Sequence, residues 1–277
     1  MNVARTIDEV RDAVAKAPEP VGFVPTMGAL HDGHLSLVRA ARERSNTVVM
    51  SIFVNPLQFG PGEDFARYPR SEESDLTAAE TAGVDLVFMP SVDEMYPEGR
   101  ATSVHVAGIT ESYEGAVRPG HFDGVATVVA RLMGIVGPRF AFFGRKDAQQ
   151  LAMVRRLVTD LSIPTEIVPC ETVRESDGLA LSSRNRFLSD ADRARATSLW
   201  RALDAGAAAI REGRKVPDVE RSMIEILEAG TDGVDYAAVV NPDTFDPAEP
   251  GEPGLLIVAA RLGQTRLIDN LLVERVR

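Results

Sequence analysis

At 277 residues the chain is long enough to bury one large core or two smaller ones. A hydrophobic share of 44% and a charged share of 26% are those of an ordinary globular protein, and a net charge of −11 argues against a general nucleic-acid binder, which would carry a basic stripe. Cys170 is the single cysteine, so no intrachain disulfide forms, as suits a reducing cytoplasm, and no apolar run approaches the length that crosses a bilayer.

The first ten residues read as a polar amphipathic helix without a secretory apolar segment. Beyond it, short apolar runs alternate with helical patterns. Strands are expected at 22–26, 47–54, 85–89, 140–143 and 166–168, and helices at 35–44, 71–82, 124–136 and 148–161. Such alternation predicts an α/β fold, a doubly wound parallel (Rossmann-like) sheet with right-handed crossovers and ligands beyond the carboxyl ends of its strands. After about residue 174 the pattern changes. Helices are expected at 190–211 and 217–229 and strands at 235–240, 254–260 and 265–269, with an exposed Pro-rich, acidic connection at 241–253. The chain is therefore divided into a nucleotide- and substrate-binding domain, 1–174, and a smaller α+β C-terminal domain, 175–277, packed over it.

Two of the four histidines fall in one run, Pro25-Thr26-Met27-Gly28-Ala29-Leu30-His31-Asp32-Gly33-His34, between an apolar strand and a helix. Asp32 is the expected N-cap, which puts His34 in the first helical turn and His31 just outside it. A helix start offers unpaired backbone N–H groups and the positive end of the dipole, and Gly28 and Gly33 would let a phosphate approach the backbone. A pair of surface or capping histidines is the competing reading. Zinc is disfavoured, because H-x-x-H lacks the spacing and internal Glu of the metalloprotease helix and no Cys/His cluster completes a tetrahedral set.

A second strand–Gly–helix junction, Gly144-Arg145-Lys146-Asp147, carries one of only three lysines in the chain. A compact ammonium there can follow a moving phosphate, with a solvated turn as the alternative. Ser182-Ser183-Arg184 lies in a polar loop at the domain junction, where hydroxyls and a guanidinium can donate to phosphate oxygens; a plain loop is the other reading. Asn55 and Gln58, just past a strand, suit recognition of a small polar substrate if they are not simply part of a turn. Asp75 can share a Mg²⁺ with water and phosphate, unless it is a solvated helix carboxylate. Gly120-His121-Phe122-Asp123-Gly124 and Gln149-Gln150 can line the same cleft. No GxGxxG, Walker A or GxSxG motif is present. What remains is a phosphate site without a built-in nucleophile, suited to attack on the α-phosphate of ATP by a substrate oxygen.

Taken in order, these motifs resemble the pantoate–β-alanine ligases, within the wider HxGH nucleotidyl-transfer group. The resemblance rests on Pro25–His31 with Gly33-His34, Phe53–Phe59, Tyr68-Pro69-Arg70, Pro90–Pro97, Arg118–Phe122, Gly144 with Lys146-Asp147 and Gln149-Gln150, and Asp177–Asn185. It implies an AMP-forming ligase of pantothenate biosynthesis: ATP and pantoate give pantoyl adenylate and pyrophosphate, and β-alanine then displaces AMP. Carried onto this chain, it implies that Met27, Gly28, Ala29, Leu30, His31, Asp32, Gly33 and His34 line the ATP site, with His34 as proton donor. Gly144, Arg145, Lys146, Asp147, Val173, Leu181, Ser182, Ser183 and Arg184 complete that site. It also implies that Gln58 and Gln150 hold pantoate, that Gln58 lies near β-alanine, that Asp75 serves Mg²⁺, and that the protein is a cytoplasmic homodimer. His31, His34 and Lys146 are the residues expected to carry the reaction. Two other readings stay open: a nucleotidyltransferase of the same fold, which should need a further basic patch, and a nucleotide-binding protein without catalysis.

Overall fold

The computed structural model describes residues 1–276, apart from the side chain of Asp64. In chain order its elements are β1 (Asn2–Ala4), α1 (Ile7–Ala15), β2 (Val21–Thr26), α2 (Asp32–Arg44), β3 (Thr47–Ile52), α3 (Glu72–Ala82), β4 (Leu86–Phe88), α4 (Val92–Met95), α5 (Glu114–Val117), α6 (His121–Val136), β5 (Phe140–Gly144), α7 (Ala148–Asp160) and β6 (Glu166–Cys170). The remainder comprises α8 (Asp190–Arg195), α9 (Thr197–Arg211), α10 (Val216–Gly230), β7 (Gly233–Val240), β8 (Gly254–Leu262) and β9 (Thr265–Val273).

β1 to β6 form one parallel sheet in the order β1-β4-β3-β2-β5-β6, as the strand–helix alternation predicts. β2 and β3 read almost wholly apolar because both faces are covered. One face packs through Phe23, Phe88 and Val49 against the buried stripes of α6 and α7. The other packs through Val24, Met50 and Val87 against Leu37, Val38 and Ala41 of α2. The chain moves away from β2 on one side through β3 and on the other through β5. Loops leaving β2 and β5 therefore diverge, and a crevice opens between them at the carboxyl edge of the sheet.

β7, β8 and β9 form a separate antiparallel sheet whose inner face, with α9 and α10, encloses a second core around Leu199, Leu203, Met223, Leu227 and Leu256. A strand replaces the start of the expected N-terminal helix. Asn2–Ala4 pairs with Leu86–Phe88, and the helix starts only after Thr6, which forms a capping box with Glu9. The single helix expected at 190–211 is two. At Ala196 the amide of Leu199 reaches back three residues (3.2 Å), and the Thr197 hydroxyl takes the Ala194 carbonyl (2.9 Å), competing with the helical ladder.

Candidate active site

The loop after β2 is held from behind rather than left open to a ligand. Thr26 Oγ1 accepts the Gly28 amide at 3.1 Å. The carboxylate of Asp75, on α3, accepts the amides of Ala29 (2.9 Å) and Leu30 (2.8 Å). Gly28 has φ +82°, and a Cβ there would stand 2.9 Å from Asp75 Oδ2. The glycine thus admits the aspartate to the loop, not a phosphate.

The cap of α2 is His31, not Asp32. Its Nδ1 accepts the Gly33 amide at 3.1 Å, and the missing side chain of Gly33 leaves room for the ring to fold back. The amides of Gly28, Ala29, Leu30 and Gly33 are therefore already engaged, and the imidazoles are what the loop presents. Because Nδ1 of neutral His31 must keep its lone pair for the cap, the ring proton sits on Nε2. His34 lies 4.1 Å from His31, centroid to centroid, and its buried Nδ1 has no hydrogen-bond partner among the described residues. Burial, and then the neighbouring His31, push the His34 pKa down to about 3. Burial also lowers His31, with Lys146 adding to the effect. Both rings are uncharged at neutral pH.

β5 ends at Gly144, and a single 3-10 turn over Arg145–Asp147 leads into α7. Lys146 Nζ lies 3.6 Å from Asp147 Oδ1, its side chain largely covered. Desolvation pushes the Asp147 carboxyl up, but Lys146 and Arg184 outweigh it and hold it below its ordinary value. Arg145 turns away and pairs with Glu171. From the other side, Ser182 Oγ caps the turn at 183–187, and Ser183 Oγ donates to the Ala29 carbonyl at 3.3 Å, tying this loop to the histidine loop.

Gln58 faces the same space. Asn55 is fully used in holding it: Nδ2 donates to Gln58 Oε1 (3.1 Å) and to the Gly124 carbonyl (3.0 Å), and Oδ1 accepts the Tyr96 hydroxyl (2.8 Å). Among the described residues, Gln58 Nε2 then meets only the weak acceptor Sδ of Met27, at 3.0 Å. α6 approaches this loop so closely that a Cβ on Gly124 would lie 2.3 Å from the Leu57 oxygen. His121, at the start of α6, donates Nδ1–H to the Gln58 carbonyl (2.8 Å), and its Nε2 accepts from Arg118 (3.0 Å). Burial, with Arg118 adding, lowers its pKa to about 4. Arg118 is in turn held by Glu63 at 2.6 Å.

One cleft of about 240 Å³ is lined by Met27, His31, Gly33, His34, Asn55, Gln58, Gly144, Lys146, Asp147, Gln150, Val173, Leu181, Ser182, Ser183 and Arg184. Its apolar wall is Phe53, Val125, Val128, Val129 and Leu132. Of the residues expected at the nucleotide, Gly28, Ala29, Leu30, Asp32 and Arg145 do not line it. Asp75 does not line it either, is 3% exposed, and has both carboxylate oxygens on backbone amides. The Mg²⁺ role expected for it is corrected to that of a loop anchor. Among the described residues no cluster of three or more His, Cys, Asp or Glu is arranged to hold a metal. Gln149, expected in the cleft, pins the 109–114 loop through the carbonyls of Ile109 and Ser112 and the amide of Glu114, and borders an adjoining cavity instead. Tyr68 and Arg118 line the cleft without having been assigned a role. Their only sequence signal is that each sits in one of the motifs that carry the resemblance.

Fold and site together define an α/β enzyme of the HxGH class, with paired imidazoles on one switch-point loop and a lysine on the next. The chain belongs to the pantoate–β-alanine ligase family, whose model matches residues 2–272. It is 54% identical over 274 residues to the pantothenate synthetase of Acidothermus cellulolyticus, covering 97% of this chain and 90% of that one. It is likewise 54% identical over 274 residues to the pantothenate synthetase of Thermus thermophilus, covering 98% and 99%. A crystal structure of pantothenate synthetase from Thermus thermophilus superposes with a TM-score of 0.93 at 53% identity, over 98% of this chain and 99% of that one. The pantoate–β-alanine ligase of Francisella tularensis, complexed with β-γ ATP and β-alanine, superposes with a TM-score of 0.83 at 32% identity, over 98% and 97%. The resemblance carried by the motifs thus holds along nearly the whole chain.

Proposed function

We propose that this chain is an ATP-dependent ligase that condenses pantoate with β-alanine through a pantoyl adenylate. The observation that carries the reading is the convergence of His31, His34 and Lys146 on a single cleft that Gln58 and Gln150 also line. In the first step a pantoate carboxylate oxygen attacks the α-phosphorus of ATP. The bond from that phosphorus to the bridging oxygen breaks, and pyrophosphate leaves. In the second step the β-alanine nitrogen attacks the acyl carbon, the acyl–phosphate bond breaks, AMP leaves, and the amine gives up its proton.

A carboxylate is a poor nucleophile towards a polyanion, so cancelling phosphate charge matters more than a strong base. Lys146 and Arg184 supply fixed positive charge, and the His31 Nε2–H supplies a neutral donor. His34, uncharged when the cleft is empty, gains affinity for a proton beside a phosphate and can hand it to the departing oxygen. Gln58 exchanges the Met27 sulfur for a pantoate oxygen, a stronger acceptor. ATP enters as its Mg²⁺ complex, the ion held by phosphates and water rather than by Asp75. The part beyond residue 174 acts as a lid that keeps the adenylate from water. The reading also takes the protein as a cytoplasmic homodimer, and light scattering checks the assembly. Among the described residues no helix is long and apolar enough to cross a membrane.

ATP–pyrophosphate exchange tests the chemistry. Exchange should require pantoate but not β-alanine, and AMP should be released only when β-alanine is added. Exchange that ignores pantoate, or none at all, overturns the reading.

A further inference from the structure

The turn that carries Lys146 is gripped by the second sheet. Asn270, on β9 and 7% exposed, spends both hydrogens of Nδ2 on that turn, donating to the carbonyl of Arg145 at 2.9 Å and to the carbonyl of Lys146 at 2.7 Å. These two carbonyls belong to the peptide planes on either side of the Lys146 Cα. With both planes held, the direction of the Lys146 Cα–Cβ bond is set, and only the side-chain torsions remain free.

Asn270 is itself anchored. Its amide donates to Asp269 Oδ1 at 2.8 Å, and its carbonyl accepts from Arg174 Nη2 at 3.1 Å. Arg174 also grips both oxygens of the buried Asp269 carboxylate, at 2.6 and 3.0 Å, and its guanidinium lies 4.2 Å from the Trp200 ring centroid. A rigid line thus runs from Trp200 through Arg174 and Asp269 to the side chain that holds the lysine turn.

We propose that Asn270 is a positioning residue for adenylation: by holding the two peptide planes that flank Lys146, it aims the ammonium at the ATP phosphates. This rests on the ligase reading above, in which Lys146 acts on those phosphates. Asn270 does not line the cleft that His31 and His34 share with Lys146; it borders the adjoining cavity. It makes the lysine's geometry depend on the second sheet being seated against the first, so a displaced second sheet leaves the cation unaimed.

The test is a double-mutant cycle read by ATP–pyrophosphate exchange at saturating ATP and pantoate. Asn270→Ala should lower the exchange rate about ten- to a hundredfold, as a misplaced group does. The KM for pantoate should stay unchanged, because Gln58 and Gln150 are untouched. In a Lys146→Ala background, Asn270→Ala should cost nothing more, because the residue through which it acts is gone. Asn270→Asp matches the native volume but cannot donate, so it should behave as Asn270→Ala does, and it carries the test if the alanine variant melts near assay temperature. A wild-type rate in both single variants overturns the proposal, as do losses that multiply in the double variant. Those results leave the ligase reading standing. Full exchange by Lys146→Ala alone removes the phosphate role of the lysine, and this inference with it.

Discussion

The rings of His31 and His34 stand 4.1 Å apart, tilted by 38°, and the first lowers the second's affinity for a proton in a site already short of solvent. His34 titrates at about 3 and His121 at about 4, against an ordinary value near 6.5. Between pH 6.5 and those values the unfolded chain binds protons that the folded chain refuses. Stability is therefore full above pH 6.5 and falls on acidification, by at most about 1.4 kcal/mol per pH unit for each ring. Urea midpoints measured from pH 7 to pH 4.5 should show this slope, and His34→Asn should reduce it by about one proton. An unchanged slope in the variant would show that His34 titrates normally.

His34→Ala and Lys146→Ala should each slow ATP–pyrophosphate exchange by about 10²–10³-fold, the usual loss when one group that stabilises developing charge is removed. Circular dichroism should show both variants folded, since neither side chain fills a core position. Near-normal exchange in both would place the phosphates elsewhere.

Asp75→Asn separates an anchor from a metal ligand. The carboxamide keeps one acceptor and turns its NH₂ towards a backbone N–H, leaving a buried donor unpaired at a cost of about 1–3 kcal/mol. Thermal denaturation should show that loss, and the KM for ATP should rise as the loop loosens. The Mg²⁺ concentration giving half-maximal exchange should not move. A marked shift in that concentration would restore the metal role to Asp75.

Gly124→Ala drives a methyl group into the Leu57 carbonyl, where neither backbone can yield without moving α6 or the Gln58 turn. The substitution should cost about 1–3 kcal/mol of stability and raise the KM for pantoate more than that for ATP. Steady-state kinetics with each substrate varied in turn distinguish the two, and equal effects on both would count against Gln58 at the pantoate end.

Local pattern makes much of this molecule legible. The strands at 21–26 and 47–52 are continuous apolar runs, and the helices beside them carry apolar stripes, so the parallel sheet can be read before any contact is known. The histidine, lysine and glutamine motifs reveal the cleft because each sits where a strand ends. Features set by distant partners are not legible. Asn2–Ala4 is too short to show a period, and only pairing with Leu86–Phe88 makes it a strand. The cap of α2 goes to His31 because its ring folds back over Gly33, a choice that residue type alone assigns to Asp32. Asp75 looks like any helix carboxylate until the amides of Ala29 and Leu30 are seen pointing at it. Asn270 lies far along the chain from the turn it holds, in a strand with no motif to mark it.

The arrangement of β2 beside β5 also bears on how the protein is made. His34 is synthesised long before Lys146, yet the two meet only when β5 has slotted in next to β2. A nascent chain that ends short of β5 has the imidazoles but not the cation, and ATP can favour only polypeptides in which β5 is already seated beside β2. Nucleotide abundance in the cell then acts on the finished enzyme and leaves its folding intermediates without that support.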